Sequence, residues 1–195
     1  PGVWVTGLLP GEQVDRVVGY AAAQGNQSFA VLAPNNGYGE LIVQAVREAA
    51  DKHDVELADS RLFDPNARDI SEPVKALAAY NRRQRDLKQR IAELENQGGS
   101  QAQQELRRLR NLDALGKAPF DAVLLPIGGN KLRQLAPTLP YYDIDPDEVQ
   151  FLGTAQWAGM DLSSDPTLQG ALYPAPPPES LSRFQERYRD IHAST

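Results

Sequence analysis

The sequence predicts an α/β domain: a doubly wound, mainly parallel five-stranded sheet with helices on both faces, plus an inserted helical hairpin. Three observations carry this. Short apolar runs alternate with amphipathic stretches, the order produced when strands are joined by crossover helices. Most of the runs are apolar at successive positions, as strands covered on both sides require. Between Tyr80 and Pro119, about forty residues precede the next run, where a crossover helix of ordinary length needs about a dozen.

Taken along the chain, the strands are read at Phe29 to Leu32, Val55 to Leu62, Ala122 to Pro126, Val149 to Gly153 and Ala171 to Pro174. Helical spacing is found at Glu12 to Gln24, Glu40 to Lys52, Ser71 onward, Lys131 to Leu139 and Glu179 to His192. Gly25 follows the first helix as a left-handed cap, Ser71 with Val74, Leu77 and Ala78 begins the third, and Pro176 to Pro178 breaks the chain before the last. A small apolar run, Val3 to Val5, precedes Pro10. It is read apart from the sheet, with residues 1–9 as a crossover from a preceding lobe.

Composition narrows the function. A chain of 195 residues buries roughly two-thirds of its unfolded surface, so one domain, residues 1–195, needs no staple. Cysteine is absent, which removes thiolate catalysis, zinc ribbons and disulfide frameworks together. No apolar run approaches the ~18 residues of a membrane span, and the chain opens at Pro1 with neither Met nor a leader pattern, so a soluble piece of something longer is expected. A net charge of −6 argues against nucleic acid as a partner, since phosphate binding needs clustered cations.

That charge is uneven. Residues 81–117 hold nine Lys or Arg against five Asp or Glu. Leu77, Tyr80, Gln84, Leu87, Ile91 and Leu94 recur at alternating three and four spacing, Gly98-Gly99-Ser100 turns the chain, and Ala102, Leu106 and Leu109 return at helical spacing. The segment is read as an inserted hairpin with a narrow apolar seam and basic residues facing outward.

Enzymatic readings are weak. Asn35-Asn36-Gly37-Tyr38-Gly39 follows a strand and opens a helix about twenty residues before Asp59, as a dinucleotide turn does, but Ile42 stands where the third glycine belongs. A strand-to-helix turn is the better reading. There is no Gly-x-Ser-x-Gly turn; His53 and His192 sit near helix ends without ligand-spaced neighbours, and the acidic run Tyr141 to Glu148 lacks a calcium loop's spacing. No catalysis, cofactor or metal is expected. What remains is the rim beyond the carboxyl ends of the strands, where open parallel sheets bind ligands. The residues predicted there are Asn35, Asn36 and Tyr38; Asp64 and Arg68; Gly128, Gly129 and Asn130; and Thr154, Gln156 and Trp157. Tyr38 and Trp157 are read either as stacking a ligand or as capping the core.

The order Ser28-Phe29-Ala30-Val31-Leu32, Asn36-Gly37-Tyr38-Gly39, Phe63-Asp64, Asp69-Ile70, Phe120-Asp121-Ala122-Val123 and Phe151-Leu152-Gly153-Thr154 is similar to lobe two of the leucine/isoleucine/valine-binding-protein family, type I periplasmic binding proteins. The resemblance implies a non-catalytic ligand-binding lobe whose first lobe lies elsewhere in the same protein. It also implies a periplasmic setting, a small-molecule ligand and a full-length protein anchored as a lipoprotein. Tyr38 matches the family's ligand-clamping tyrosine. Gly128 and Ala155 stand where an aromatic and an acid are expected, which leaves the clamp for an α-ammonium incomplete. The insertion before Phe120 resembles the penicillin-binding-protein activator branch, implying a regulator of peptidoglycan synthesis with a cell-wall synthase as partner. The alternative is a solute-binding protein of an ABC transporter for branched-chain amino acids or a similar polar solute, with a permease as partner.

Overall fold

The computed structural model describes residues 9–162, 165–175 and 178–192. The run Val3 to Val5, expected as a crossover, and the break at Pro176 and Pro177 lie outside the described residues. In chain order the elements are α1 (Pro10–Ala23), β1 (Ser28–Pro34), α2 (Gly37–His53), β2 (Glu56–Phe63), α3 (Ser71–Leu77), α4 (Tyr80–Gln97), α5 (Ser100–Leu109), β3 (Ala122–Leu124), α6 (Gly129–Leu135), α7 (Thr138–Tyr141), β4 (Gln150–Leu152) and α8 (Pro178–His192).

The sheet is parallel throughout, in the order β2-β1-β3-β4. It has four strands where five are expected. Ala171 to Pro174 reaches only one bridge, Leu172 to Leu152, held by the Gly153 N–H donating to Leu172 and the Leu172 N–H donating to Phe151. Gly170, at a φ of 76°, turns the chain in just before it, and Pro174 has no N–H with which to extend the ladder.

Alternation along the strands divides the core into two layers. Phe29, Val31 and Ala33 of β1, with Ala122 and Leu124 of β3 and Leu152, face α1 and α2. Ala30, Leu32, Val123, Leu125 and Phe151 face the other way, against Val74 and Leu77 of α3, Leu132 and Leu135 of α6, and Leu139 of α7. β2 is one of the two edge strands and the least buried of the four, which matches its sequence, Glu-Leu-Ala-Asp-Ser-Arg-Leu-Phe.

Two predicted helices are broken. The stretch from Lys131 to Leu139 divides into α6 and α7 around Pro137, whose missing N–H cannot continue the ladder. The helix begun at Ser71 stops at Ala79, which adopts a left-handed φ of 48°, and α4 starts in a new direction.

α4 and α5 form the inserted hairpin. Leu87, Leu94, Ala102, Leu106 and Leu109 are buried against one another, with Ile91 and Leu115 beside them, in a cluster separate from both sheet layers. Arg90–Glu105 (3.2 Å) and Arg110–Glu95 (2.9 Å) bridge the helices at the surface. One basic residue expected to face outward does the reverse. The Arg83 side chain is only 6% exposed; its guanidinium donates to the carbonyls of Leu115 (3.0 Å), Ala78 (3.4 Å) and Gly116, and pairs with Asp143 at 3.3 Å. A buried guanidinium is tolerable only when its fork of donors is satisfied, and these partners come from both ends of the insertion and from the host. Arg83 therefore pins the base of the hairpin to the loops of the host domain. The Asp143 carboxyl is held above the usual carboxylate range, chiefly by burial, with the Arg83 charge opposing that rise.

Candidate functional site

From β1 the chain crosses to β2 on one side and, through α3 and the hairpin, to β3 on the other. The loops leaving the carboxyl ends of β1 and β3 therefore diverge, and a crevice opens between them. An open depression of about 270 Å³ lies there. Its lining mixes apolar and polar surface in nearly equal shares, with Pro34, Phe63, Pro65, Pro126 and Ile127 bringing the apolar side chains. Asn36, Tyr38, Gly128, Lys131 and Gln156 supply the polar part.

Each loop is shaped by close packing. Asn36 caps α2, its Oδ1 accepting from the Gly39 N–H at 3.0 Å. A Cβ at Gly39 would stand 1.9 Å from the Pro34 carbonyl oxygen, so only glycine lets the helix start this tightly behind the strand. The turn thus orients Tyr38, whose hydroxyl donates over 3.5 Å to Oγ1 of the fully buried Thr154. At Gly128 a Cβ would come within 2.9 Å of the Gln156 carbonyl oxygen. The aromatic side chain that amino-acid transport relatives are expected to have at this place has no room here. Ala155, the place expected for the acid, gives its N–H to Oε1 of Gln13 from α1 at 2.8 Å.

Of the residues predicted for the rim, Asn36, Tyr38, Gly128 and Gln156 converge on the depression. Trp157 does not, because its indole is wholly buried, lies against Gly153, and donates from Nε1 to the Ile127 carbonyl at 2.6 Å. In this structure it supports the rim from the core side, as in the second of its two readings, capping the core. Thr154 is likewise buried and acts through Tyr38. Asn35 ties its N–H to the Phe63 carbonyl at 2.7 Å. Asp64 folds its carboxylate onto the Asn66 N–H, and Arg68, Gly129 and Asn130 are exposed outside the depression.

Lys131 was missed. It reads as the first residue of a helix, and only the fold shows its half-buried side chain at the mouth, with Nζ donating to the Ala67 carbonyl. Among the residues that line the depression it is the single ionic one.

Elsewhere, no group of three or more His, Asp or Glu side chains among the described residues is placed to hold a metal ion. His53 is engaged in structure: its Nε2 lies 2.9 Å from Asp15 Oδ1, and its ring fills the space left by the missing side chain of Gly19. The Asp15 carboxyl is lowered below its usual range, first by the hydrogen bond from Lys52 and then, against a desolvation cost, by the bond to His53.

No curated protein matches the sequence. Solved structures do match in fold. An extracellular ligand-binding receptor from Rhodopseudomonas palustris HaA2 superposes with a TM-score of 0.58 at 14% identity, covering 94% of this chain and 44% of that one. An ABC-transporter solute-binding protein from Rhodopseudomonas palustris BisB5, in complex with 3,4-dihydroxybenzoic acid, gives 0.57 at 10% identity over 94% and 42%. Another from R. palustris, in complex with benzoate, gives 0.56 at 8% identity over 94% and 41%. The chain spans less than half the length of each of these receptors, and at such identity they speak for the fold alone. The sequence itself matches the model of the periplasmic binding proteins over residues 1–193, and the chain belongs to that family.

Proposed function

We propose that this chain is the second lobe of a two-lobed solute-binding protein working in the periplasm with an ABC-transporter permease, and that the depression between the β1 and β3 loops is its half of the ligand cleft. The observation that carries the reading is the depression itself. It lies at the switch point of a parallel sheet, is open, and is lined by both apolar and polar side chains. Solute-binding architecture in the superposed receptors supports it, as does the fraction of their length that this chain spans. A small organic solute is the expected ligand, and the chain acts by binding rather than by catalysis. Branched-chain amino acids fit poorly, since neither Gly128 nor Ala155 offers the aromatic and acidic groups of an amino-acid clamp. The test is calorimetry on the two-lobed protein and on this lobe alone, with the same solute. Closure buries both walls together, so the isolated lobe should bind far more weakly. Equal micromolar affinity in the two would overturn the two-lobe reading.

A second reading is favoured by one feature, the self-contained hairpin. A regulator of peptidoglycan synthesis, anchored as a lipoprotein, would use such a projection to touch a cell-wall synthase. Arg82, Arg85, Lys88, Arg107 and Arg108 are exposed on it and form no ion pair among the described residues. Capture of a synthase from an envelope extract by the full-length protein, lost when the hairpin is removed, is the expected result. Unchanged capture without the hairpin would remove this reading.

A further inference from the structure

We infer that the solute brought to this lobe is a small organic anion, a carboxylate on an apolar body, and that Lys131 receives its charge; this rests on the depression being the solute site. The argument starts from what lines the space. Pro34, Phe63, Pro65, Pro126 and Ile127 bring apolar side chains to the lining, so the solute carries an apolar part where it meets those side chains. Lys131 is the single ionic side chain of the lining, and no carboxylate stands with it.

Lys131 is also unpaired as a charge. Its ammonium has three donors, one of which is given to the Ala67 carbonyl, and no Asp or Glu among the described residues lies within ion-pair distance. The acids that flank Ala67 are engaged locally: Asp64 accepts from the Asn66 N–H at 2.8 Å and Asp69 from the Ser71 N–H at 2.8 Å. The Ala67 carbonyl holds the ammonium in place without neutralising it. A half-buried cation beside apolar side chains is poorly hydrated, and an arriving carboxylate makes a charge-assisted hydrogen bond there. A solute ammonium would meet repulsion and no acceptor of opposite charge on this wall.

The experiment uses the two-lobed protein and four molecules of one skeleton: 4-methylpentanoate, 4-methylpentanamide, isopentylamine and leucine, with phenylacetate and its amide as a second body. The carboxylates should bind roughly tenfold or more tighter than their amides, and the amine and leucine more weakly still. Lys131→Met should bring each carboxylate down to the affinity of its amide. Lys131→Arg should keep the preference.

Tyr38→Ala separates the two levels of the argument. If it abolishes binding while Lys131→Met leaves the carboxylate preference intact, Lys131 is not the group that receives the charge, the inference falls and the site stands. If a solute binds and Tyr38→Ala has no effect, the site itself is misplaced. Binding of leucine or the amine as tightly as the carboxylate overturns the inference, as does failure of every carboxylate to bind at millimolar concentration.

Discussion

The rim of the sheet and the hairpin both stand out from the same core, yet they are held by opposite means. The rim has no apolar cluster of its own. Its loops are fixed by backbone passing close to backbone, at Gly39 over Pro34 and at Gly128 over Gln156, and by an indole lying against Gly153. The hairpin carries its own seam from Leu87 to Leu109 and is pinned at the base by Arg83. The rim is therefore expected to respond sharply to added atoms, and the hairpin to tolerate change with little response from the sheet.

The sharpest break in this comparison is Gly39→Ala. The added methyl would meet the Pro34 carbonyl at 1.9 Å, where backbone must move. Overpacking of this kind costs ~3 kcal/mol, which lowers the melting temperature of a chain this size by about 6 to 12 °C, measurable by calorimetric scan. Next is Arg83→Met, which leaves buried carbonyls and Asp143 without their donor. A loss of about 2 kcal/mol is expected in denaturant melts, with the base of the hairpin loosening in hydrogen exchange before the sheet does.

Replacing residues 84–110 with a short Gly/Ser turn should cost less than either point change, within ~1 kcal/mol, because it removes a cluster that packs on itself and leaves Arg83 with its carbonyl partners. Global unfolding on this deletion would make the hairpin part of the core and dissolve the contrast.

The smallest effect is at the α1–α2 contact. Asp15 is lowered by Lys52 and His53, so its contribution is present above the ordinary carboxylate range and is lost as pH falls through its lowered value. Asp15→Asn should lower stability at neutral pH by ~0.5 kcal/mol, a partly exposed pair, and flatten the acid limb of the stability profile. An acid limb that does not change would assign the pair no role.

Much of the fold is legible in the sequence because short apolar runs such as Phe29 to Leu32, set between helical stretches, fit strands buried on both sides, and the turn at Asn36-Gly37 follows from its residues. What was illegible has a common cause. Ala171 to Pro174 has the apolar content of a strand, but whether it pairs depends on Gly170 and Pro174 acting in three dimensions. Arg83 sits in a run of basic residues; its spacing from Tyr80 and Leu87 puts it on the inner face, yet charge argues for solvent, and only the carbonyls of Leu115 and Gly116 settle the conflict. Trp157 was placed on the rim by its position after β4, with stacking and core-capping both open. That Gly153, four residues earlier, makes a bed for its ring is a contact no local pattern encodes. Lys131 was invisible as a site residue because its importance lies in what surrounds it, a lining with no acid.

The account's central claim is that the solute is received at the rim and that the hairpin takes no part in holding it. The most direct measurement is a crystal structure of the two-lobed protein with a bound solute. The prediction is a solute closed between the lobes, touching Tyr38, the Gly128 backbone and Lys131, with no atom in contact with residues 84–110. A solute seated against the hairpin, or held wholly by the other lobe with the depression between β1 and β3 left to solvent, would contradict it.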